Sequence, residues 1–478
     1  MLWLCISLPQ LPLEALVVVD QAPATVVTSC EGNTRWAICC NTAAERANLK
    51  AMMNCTVALA IQPEVVMLER RLDAEKAALQ RLASWAYQFS ATVIIGDISP
   101  EPHHARSSTL WLEIGASMKL FGGFRRFMEH LEHELGELRY TYQLGVAPTL
   151  EGAALLARSG IRIALTTKDA LCRRIRSLPI STLELLPEIT QQLHIAGVRS
   201  IGLLLELPRD GVARRFGPEI TLFLDRLTGE AADPRPIFQM PERYNAHFEF
   251  EFEVRSTEAL LFTLRRLLRE FSGYLRARDT GVERFLLHLM HREIPATQLH
   301  IGLSTPERNA DRFFALAREH LERSELSAPI IGLRVCASQF AAPTALQPEL
   351  FSGKSRNREA LSHTIDRIVA RLGETHVHGL ESVADHRPEA SWSTAALDEK
   401  RATPRFPERP LWLLPEPRPL QLSAIPQIAS GPERIEVGWW DGGDVQRDYF
   451  IVRTSNGADL WVYQDLRDHS WHLHGFWS

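Results

Sequence analysis

The sequence predicts an α+β chain of several domains, and three observations predict it. The first 165 residues alternate short apolar runs of strand length with helical periods, the pattern of strands and helices sharing one sheet. From 167 to 230 only short helical segments remain, and beyond 245 the order strand, helix, strand, strand, helix, strand describes a compact two-layer domain. A length of 478 residues exceeds one ordinary core, and 45% hydrophobic with 23% charged residues is the composition of a globular chain.

Taken in order, Leu2–Leu8, Ala15–Val19 and Thr92–Ile95 read as strands, and Val65–Tyr87 as a helix with charges between its apolar positions. Thr109–Ile114 is a further strand, Arg125–Leu138 an amphipathic helix, Tyr140–Val146 a strand, and Ala153–Arg158 the start of another helix. Ile189–Ala196, Leu203–Leu207 and Val212–Phe216 form the helical module, with a turn at Gly197–Gly202. Pro234, Pro236 and Pro241 mark 231–244 as a linker. Ala246–Val254 alternates Phe248, Phe250 and Phe252 with His247, Glu249, Glu251 and Glu253, as a half-buried strand does. A helix at Thr257–Arg278, strands at Phe285–His291 and Gln298–Leu303, a helix at Asn309–Arg323 and a strand at Ile331–Ala337 complete that domain, which spans 245–340. The stretch 341–432, with its proline-rich end, reads as a tether containing one helix at Glu359–Leu372. At 433–478 the tryptophans Trp439, Trp440, Trp461, Trp471 and Trp477 argue against disorder and for a small folded or fold-on-binding element.

A formal net charge of −5 argues against a protein that coats nucleic acid, although it leaves room for a local DNA-binding face. Seven cysteines, without a CxxC pair or histidines at ligand spacing, argue against a disulfide framework or a zinc site and favour a reducing compartment. The segment before Leu16 lacks a positive n-region and a small-residue cleavage site, so it is not expected to be a signal peptide. No stretch approaches a membrane span, and a cytoplasmic, nucleoid-associated protein is expected.

The module order, with Leu110-Trp111-Leu112-Glu113-Ile114, Leu120-Phe121-Gly122-Gly123, Gly197-Val198-Arg199-Ser200-Ile201-Gly202, Leu207-Pro208 and Phe216-Gly217, resembles the Y-family of translesion DNA polymerases over about 1–340. The resemblance implies a palm with fingers over 1–166, a helical thumb over 167–230 and a little finger over 245–340. In that family a carboxylate at the end of the first strand and an Asp-Glu pair on a later palm strand hold two magnesium ions. The matching positions here are Ser7, Ser108 and Thr109, three neutral hydroxyls that make weak ligands for a hard cation. Glu113 lies beyond the pair and is expected to be structural. The fingers Tyr and Arg that grip the triphosphate fall on Thr42 and Glu45, with Arg46 one position off, and the phosphate lysine falls near Ala153-Ala154. No metal and no other cofactor is expected, and magnesium only if the chain polymerises DNA. In the thumb, the expected Gly-x-Gly turn falls near Glu184-Leu185-Leu186. Arg265, Arg266, Arg269, Arg276 and Arg278 on one helix could track a DNA backbone or face solvent.

Gln347-Pro348-Glu349-Leu350-Phe351 resembles the clamp-binding pentapeptide Gln-x-x-Leu-Phe: Gln347 would hydrogen-bond a pocket rim that Leu350 and Phe351 fill on the sliding clamp. A Y-family body without its catalytic residues is similar to the non-catalytic branch of that family, found in a bacterial damage-induced mutagenesis cassette. In that branch the carboxy-terminal region meets a DnaE-type error-prone polymerase and a recombinase-like accessory protein. The matching segments are Asp385–Glu389, Gly438-Trp439-Trp440-Asp441-Gly442, Arg447-Asp448-Tyr449, Leu460-Trp461-Val462 and Leu473-His474-Gly475, and the second and third supply the expected partner-binding residues Trp439 to Gly442 and Arg447 to Tyr449. The expected function is therefore a catalytically inactive adaptor that binds DNA weakly. The alternatives are a divergent active Y-family polymerase and a DNA-binding regulator without clamp contact.

Overall fold

A computed structural model describes residues 1–17, 23–102, 108–324, 326, 328–342, 354–395, 407–420, 427–455 and 457–477. It divides into two compact units, Met1–Arg371 and Leu372–Ser478.

The first unit opens with β1 (Trp3–Ser7) and a short helix α1 (Leu11–Glu14). Pro12 sits in the first turn of α1, where its missing N–H costs nothing, so the strand expected at Ala15–Val19 begins instead as the turn that ends a helix. Residues 18–22 lie outside the described residues. A second small sheet follows, from β2 (Thr25–Glu31), β3 (Thr34–Cys40), α2 (Thr42–Arg46), β4 (Met53–Asn54), α3 (Cys55–Ile61) and β5 (Val66–Glu69), with strand order β4-β3-β2-β5. The helix expected from Val65 is thus a strand at its start, because Val66–Glu69 pairs in parallel with Thr25–Thr28. The helical part, α4 (Leu72–Ala86), buries Ala78, Leu79, Leu82, Ala83, Trp85 and Ala86.

The main sheet is completed by β6 (Val93–Ile95), β7 (Thr109–Glu113), α5 (Phe124–Leu138), β8 (Gln143–Ala147) and α6 (Leu150–Arg158), in the order β6-β7-β1-β8. Alternate residues of a strand point to opposite faces. Leu4, Ile6, Leu110 and Leu112 pack with α4 and α5 through Leu79, Trp85, Phe127 and Leu131. Cys5, Ile94 and Trp111 face α6 and the helices that follow. Gly145 lets α6 lie directly on the sheet, since a Cβ there would meet the Ala153 carbonyl at 2.2 Å.

The helical module comprises α7 (Lys168–Ile175), α8 (Pro187–Ile195), α9 (Ile201–Glu206), α10 (Arg209–Phe216) and α11 (Pro218–Thr228), joined to the palm core through Leu171, Ile175, Ile201 and Leu224. Next come β9 (Tyr244–Val254), α12 (Thr257–Ala277), β10 (Val282–Met290), β11 (Thr297–Glu307), α13 (Ala310–Arg323) and β12 (Ile330–Ala337), one sheet in the order β11-β10-β12-β9 under two helices. Together these elements give an α+β fold of several domains, and palm with fingers, thumb and little finger serve below only as labels for its segments.

The stretch read as a tether is more structured than expected. The helix α14 (Lys354–Leu372) is fixed to the little finger: Ser304 N donates to Asp366 Oδ1 at 3.0 Å, Arg312 pairs with Asp366, and Arg371 pairs with Glu319 at 2.6 Å. The second unit contains the hairpin β13 (Gly379–Ser382) and β14 (Trp392–Ala395). Its main sheet is β15 (Trp412–Leu420), β16 (Ile428–Val437), β17 (Val445–Arg453), β18 (Asp459–Asp465) and β19 (Trp471–Phe476), in the order β15-β19-β18-β17-β16. Pro415, Pro417 and Pro419 belong to β15, an edge strand. Prolines at alternate positions remove N–H groups from one side only, which an edge strand accommodates. Residues 372–478 carry sixteen acidic and ten basic side chains, so the whole negative balance of the chain resides in this unit and residues 1–371 carry a formal +1.

Candidate functional site

In the palm, the three hydroxyl residues lie at adjacent strand ends. Ser7 closes β1 directly opposite Thr109 of β7, and Leu8 N donates to the Ser108 carbonyl at 2.8 Å. On the face shared with Cys5 and Trp111, Ser7 and Thr109 lie between Gln143 of β8 and Gly96, whose N–H donates to the Thr109 carbonyl at 2.8 Å. Gly96 must be glycine, because a Cβ would stand 2.4 Å from Thr109 Oγ1. Ser7, Ser108 and Thr109 are 1%, 2% and 3% exposed, and Ser7 Oγ has no hydrogen-bond partner among the described residues. Neutral hydroxyls at such depth cannot offset the charge of a divalent cation, so this donor set does not fit magnesium.

The nearby carboxylates serve elsewhere or face water. Glu113 stands four residues along β7, about 13 Å from Thr109 at the usual rise of a strand. Its Oε1 accepts from Leu2 N at 3.0 Å and Gly115 N at 3.1 Å, a backbone-fixing role. Asp97 is exposed just past Gly96. Among the described residues, no group of three or more His, Cys, Asp or Glu side chains is arranged to hold a metal ion.

In the fingers, Thr42, Glu45 and Arg46 of α2 are all exposed. The helix is fixed by Asn41, whose Oδ1 accepts from Ala44 N at 2.8 Å and Thr25 N at 3.0 Å. Ala153 and Ala154 are buried against the sheet. In the thumb, Glu184 adopts a left-handed conformation and pairs with Arg158 at 3.5 Å. Gly202 packs on Arg176, which makes its turn a packing feature: a Cβ would meet the Arg176 carbonyl at 2.8 Å.

The arginines of α12 make contacts within the protein, with Arg265 and Arg276 also exposed. Arg266 is 3% exposed and donates to the Glu14 carbonyl at 2.8 Å, Arg269 pairs with Glu137 at 2.5 Å, and Arg276 pairs with Glu134 at 3.0 Å. Arg265 lies over Phe314, and Arg278 donates to the Pro241 carbonyl. The little finger has thirteen arginines and thirteen acids between 245 and 340 and no lysine. Its sheet carries the row Gln298–His288–Arg334–His247, bordered on β9 by Glu249, Glu251 and Glu253. That row is basic in the middle and acidic at one edge, a weak match to a phosphate backbone.

Gln347, Leu350 and Phe351 lie outside the described residues. The chain on either side of them is held by the little finger: Gly281 and Ala341 exchange backbone hydrogen bonds at 2.9 and 3.0 Å, and α14 begins three residues after Phe351.

In the second unit the seven expected partner-binding residues separate into two groups. Trp439 and Trp440, at the tip between β16 and β17, are 79% and 59% exposed and meet edge to face at 5.6 Å. Their turn is braced from below by Arg387, which pairs with Asp441 at 2.6 Å, donates to the Gly443 carbonyl and pairs with Asp385 at 2.7 Å. The guanidinium holds the carboxyls of Asp441 and Asp385 below the usual range. Gly438 and Gly442 supply the positive φ angles of this turn.

Of the remaining three, Arg447 and Tyr449 share one face of β17 and Asp448 lies on the other. Tyr449 is 1% exposed, stacks on Trp461 at 4.1 Å and shares a 2.8 Å hydrogen bond with His474 Nδ1. Arg447 donates to Glu389 at 2.9 Å and to the Tyr449 hydroxyl at 3.2 Å, and Asp448 accepts from Arg434 at 2.8 Å. Burial pushes His474 down to about 4 and holds the Tyr449 hydroxyl far above its usual range. The sequence marks Arg387, Trp461 and His474 only as parts of matching segments, without the bracing and stacking roles they take here; Gly438 and the Gly442-Gly443 pair are the signal for an exposed turn.

Residues 5–158 match the impB/mucB/samB family. Over 438 residues the chain is 27% identical to the protein named ImuB from two strains of Caulobacter vibrioides, covering 85% of this chain and 93% of the relative. Among solved structures, the crystal structure of DinB from Sulfolobus solfataricus is 14% identical and covers 72% of this chain and 100% of that one, with a TM-score of 0.38. An insertion ternary complex of Dbh DNA polymerase is 14% identical, covers 70% and 98%, and has a TM-score of 0.40. No helix among the described residues is long and apolar enough to cross a membrane.

Proposed function

We propose that this ImuB-like chain is a non-catalytic adaptor in DNA-damage-induced translesion synthesis. The body contributes shape and weak DNA contact, Gln347-Pro348-Glu349-Leu350-Phe351 docks the sliding clamp, and the acidic second unit recruits a DnaE-type error-prone polymerase and a recombinase-like accessory protein. The observation that carries this reading is the burial of the hydroxyl set Ser7, Ser108 and Thr109, the residues that the resemblance matches to the family's carboxylates. A polymerase active site must hold concentrated negative charge for two magnesium ions, and these residues hold none.

The division of charge supports the second role. A unit with a balance of −6 repels nucleic acid and attracts protein surfaces with a basic rim, while a braced pair of exposed tryptophans is the type of anchor that dominates interface energetics. Weak contacts on one chain combine through effective concentration, so neither the clamp peptide nor the tryptophan turn needs to bind tightly alone.

Nucleotide binding separates this reading from a divergent polymerase. A polymerase with a Kd of ~10 µM would gain about 2.7 kcal/mol at ~1 mM nucleotide. Thermal melts with deoxynucleotide and magnesium are expected to show no shift, and a saturable, magnesium-dependent rise in Tm would contradict the proposal.

A further inference from the structure

The junction between palm and little finger is closed by a buried charge network rather than by loose surface contact. Arg81 of α4 pairs with Glu270 of α12 at 2.8 Å, with 8% and 0% of their side chains exposed. The second Glu270 oxygen accepts from the Tyr140 hydroxyl at 3.0 Å, and Arg81 also donates to the His247 carbonyl at 3.0 Å. The two helices touch at Gly273, where a Cβ would stand 2.2 Å from the Trp85 ring. Arg266 is stacked over Tyr140 at 4.5 Å. The connecting segment is also fixed: Phe238 N donates to Val93 O at 2.8 Å, Tyr274 donates to the Pro241 carbonyl at 2.8 Å, and Arg235 lies over Trp111 at 4.6 Å while pairing with Glu151. At the rim, Glu134 and Glu137 of α5 occupy Arg276 and Arg269.

We infer that palm and little finger are latched as one body in the free protein, and that the carboxylates of α5 mask the arginines of α12 from a nucleic-acid backbone. Glu134 and Glu137 then stand where phosphates would, and DNA must compete with the protein's own acids for Arg269 and Arg276. The inference rests on the adaptor reading only in naming DNA as the competing polyanion.

The test is fluorescence anisotropy of a labelled primer–template duplex over a salt titration, using the full chain. The double variant Glu134→Gln/Glu137→Gln leaves the buried network intact, and it is expected to bind DNA about 3- to 10-fold more tightly. Its log–log salt slope is expected to steepen by up to ~0.9, the counterion release of the one fully freed arginine, Arg276, because Arg269 keeps its contact with Asp311 at 3.3 Å. Arg269→Ala/Arg276→Ala in the otherwise native chain is expected to leave DNA affinity unchanged, and combined with the glutamine variant it is expected to abolish the gain. Native affinity and slope in the glutamine variant would overturn the mask. So would a loss of affinity on removing the arginines from the native chain, because they would then already be reading DNA. Neither readout depends on polymerase activity or on clamp binding, so failure here leaves the adaptor proposal standing.

Discussion

Replacing Leu350 and Phe351 with alanine is expected to weaken binding to the sliding clamp by two to three orders of magnitude, measured by calorimetry or surface plasmon resonance on the purified clamp. Anchor side chains in a desolvated pocket each cost about 2 kcal/mol or more when truncated, and about 1.4 kcal/mol is tenfold in affinity. Gln347→Ala is expected to cost less, because a rim hydrogen bond contributes about 1 kcal/mol net. The body should be unaffected, since Gly281–Ala341 pairing and the Asp366 contacts of α14 hold the little finger on both sides of the peptide without using it. Unchanged clamp affinity would remove the pentapeptide from the account and favour a DNA-binding regulator without clamp contact.

The second large effect divides residues that the sequence places together. Tyr449→Ala is expected to destabilise the second unit by about 3–5 kcal/mol, the usual cost of emptying a large aromatic site. Tyr449 is buried against Trp461 and bonded to His474, so its loss also leaves polar partners unsatisfied. Trp439→Ala/Trp440→Ala is expected to leave urea denaturation of that unit unchanged, because both rings are mostly exposed. The same double variant is expected to weaken capture of the error-prone polymerase or the accessory protein by about 30-fold or more, as loss of an interface anchor does. If the tryptophan variant unfolds as readily as the tyrosine variant, the turn is part of the packing. Unchanged binding to both proteins would place their docking surface elsewhere.

Periodicity made the little finger legible, because β9 alternates and α12 and α13 carry uninterrupted helical faces. It misread Val66–Glu69, where parallel pairing with β2 decides the conformation of an apolar run that could also begin a helix. Proline content concealed β15, since a sequence does not say that a strand lies at an edge. The hydroxyl set was readable from the positions of Ser7, Ser108 and Thr109 relative to the family's motif. Its burial, and the service of Glu113 as a backbone acceptor, required the sheet. Nor could the arginines of α12 be assigned from their own helix. Their partners Glu14, Glu134 and Glu137 lie more than a hundred residues away, and an amphipathic face carries no record of what covers it. Likewise Trp439 and Tyr449 are both aromatic residues beside glycine or charge in the sequence, and only the sheet separates an exposed turn from a core.

A non-catalytic palm is the premise of the proposed adaptor role, and primer extension tests it directly. Purified full-length chain, incubated with primer–template, deoxynucleotides and either magnesium or manganese, is expected to give no extension above a protein-free control, with or without the sliding clamp. Magnesium-dependent extension that disappears on Asp97→Asn or Glu113→Gln would contradict it and identify a divergent polymerase working with displaced carboxylates.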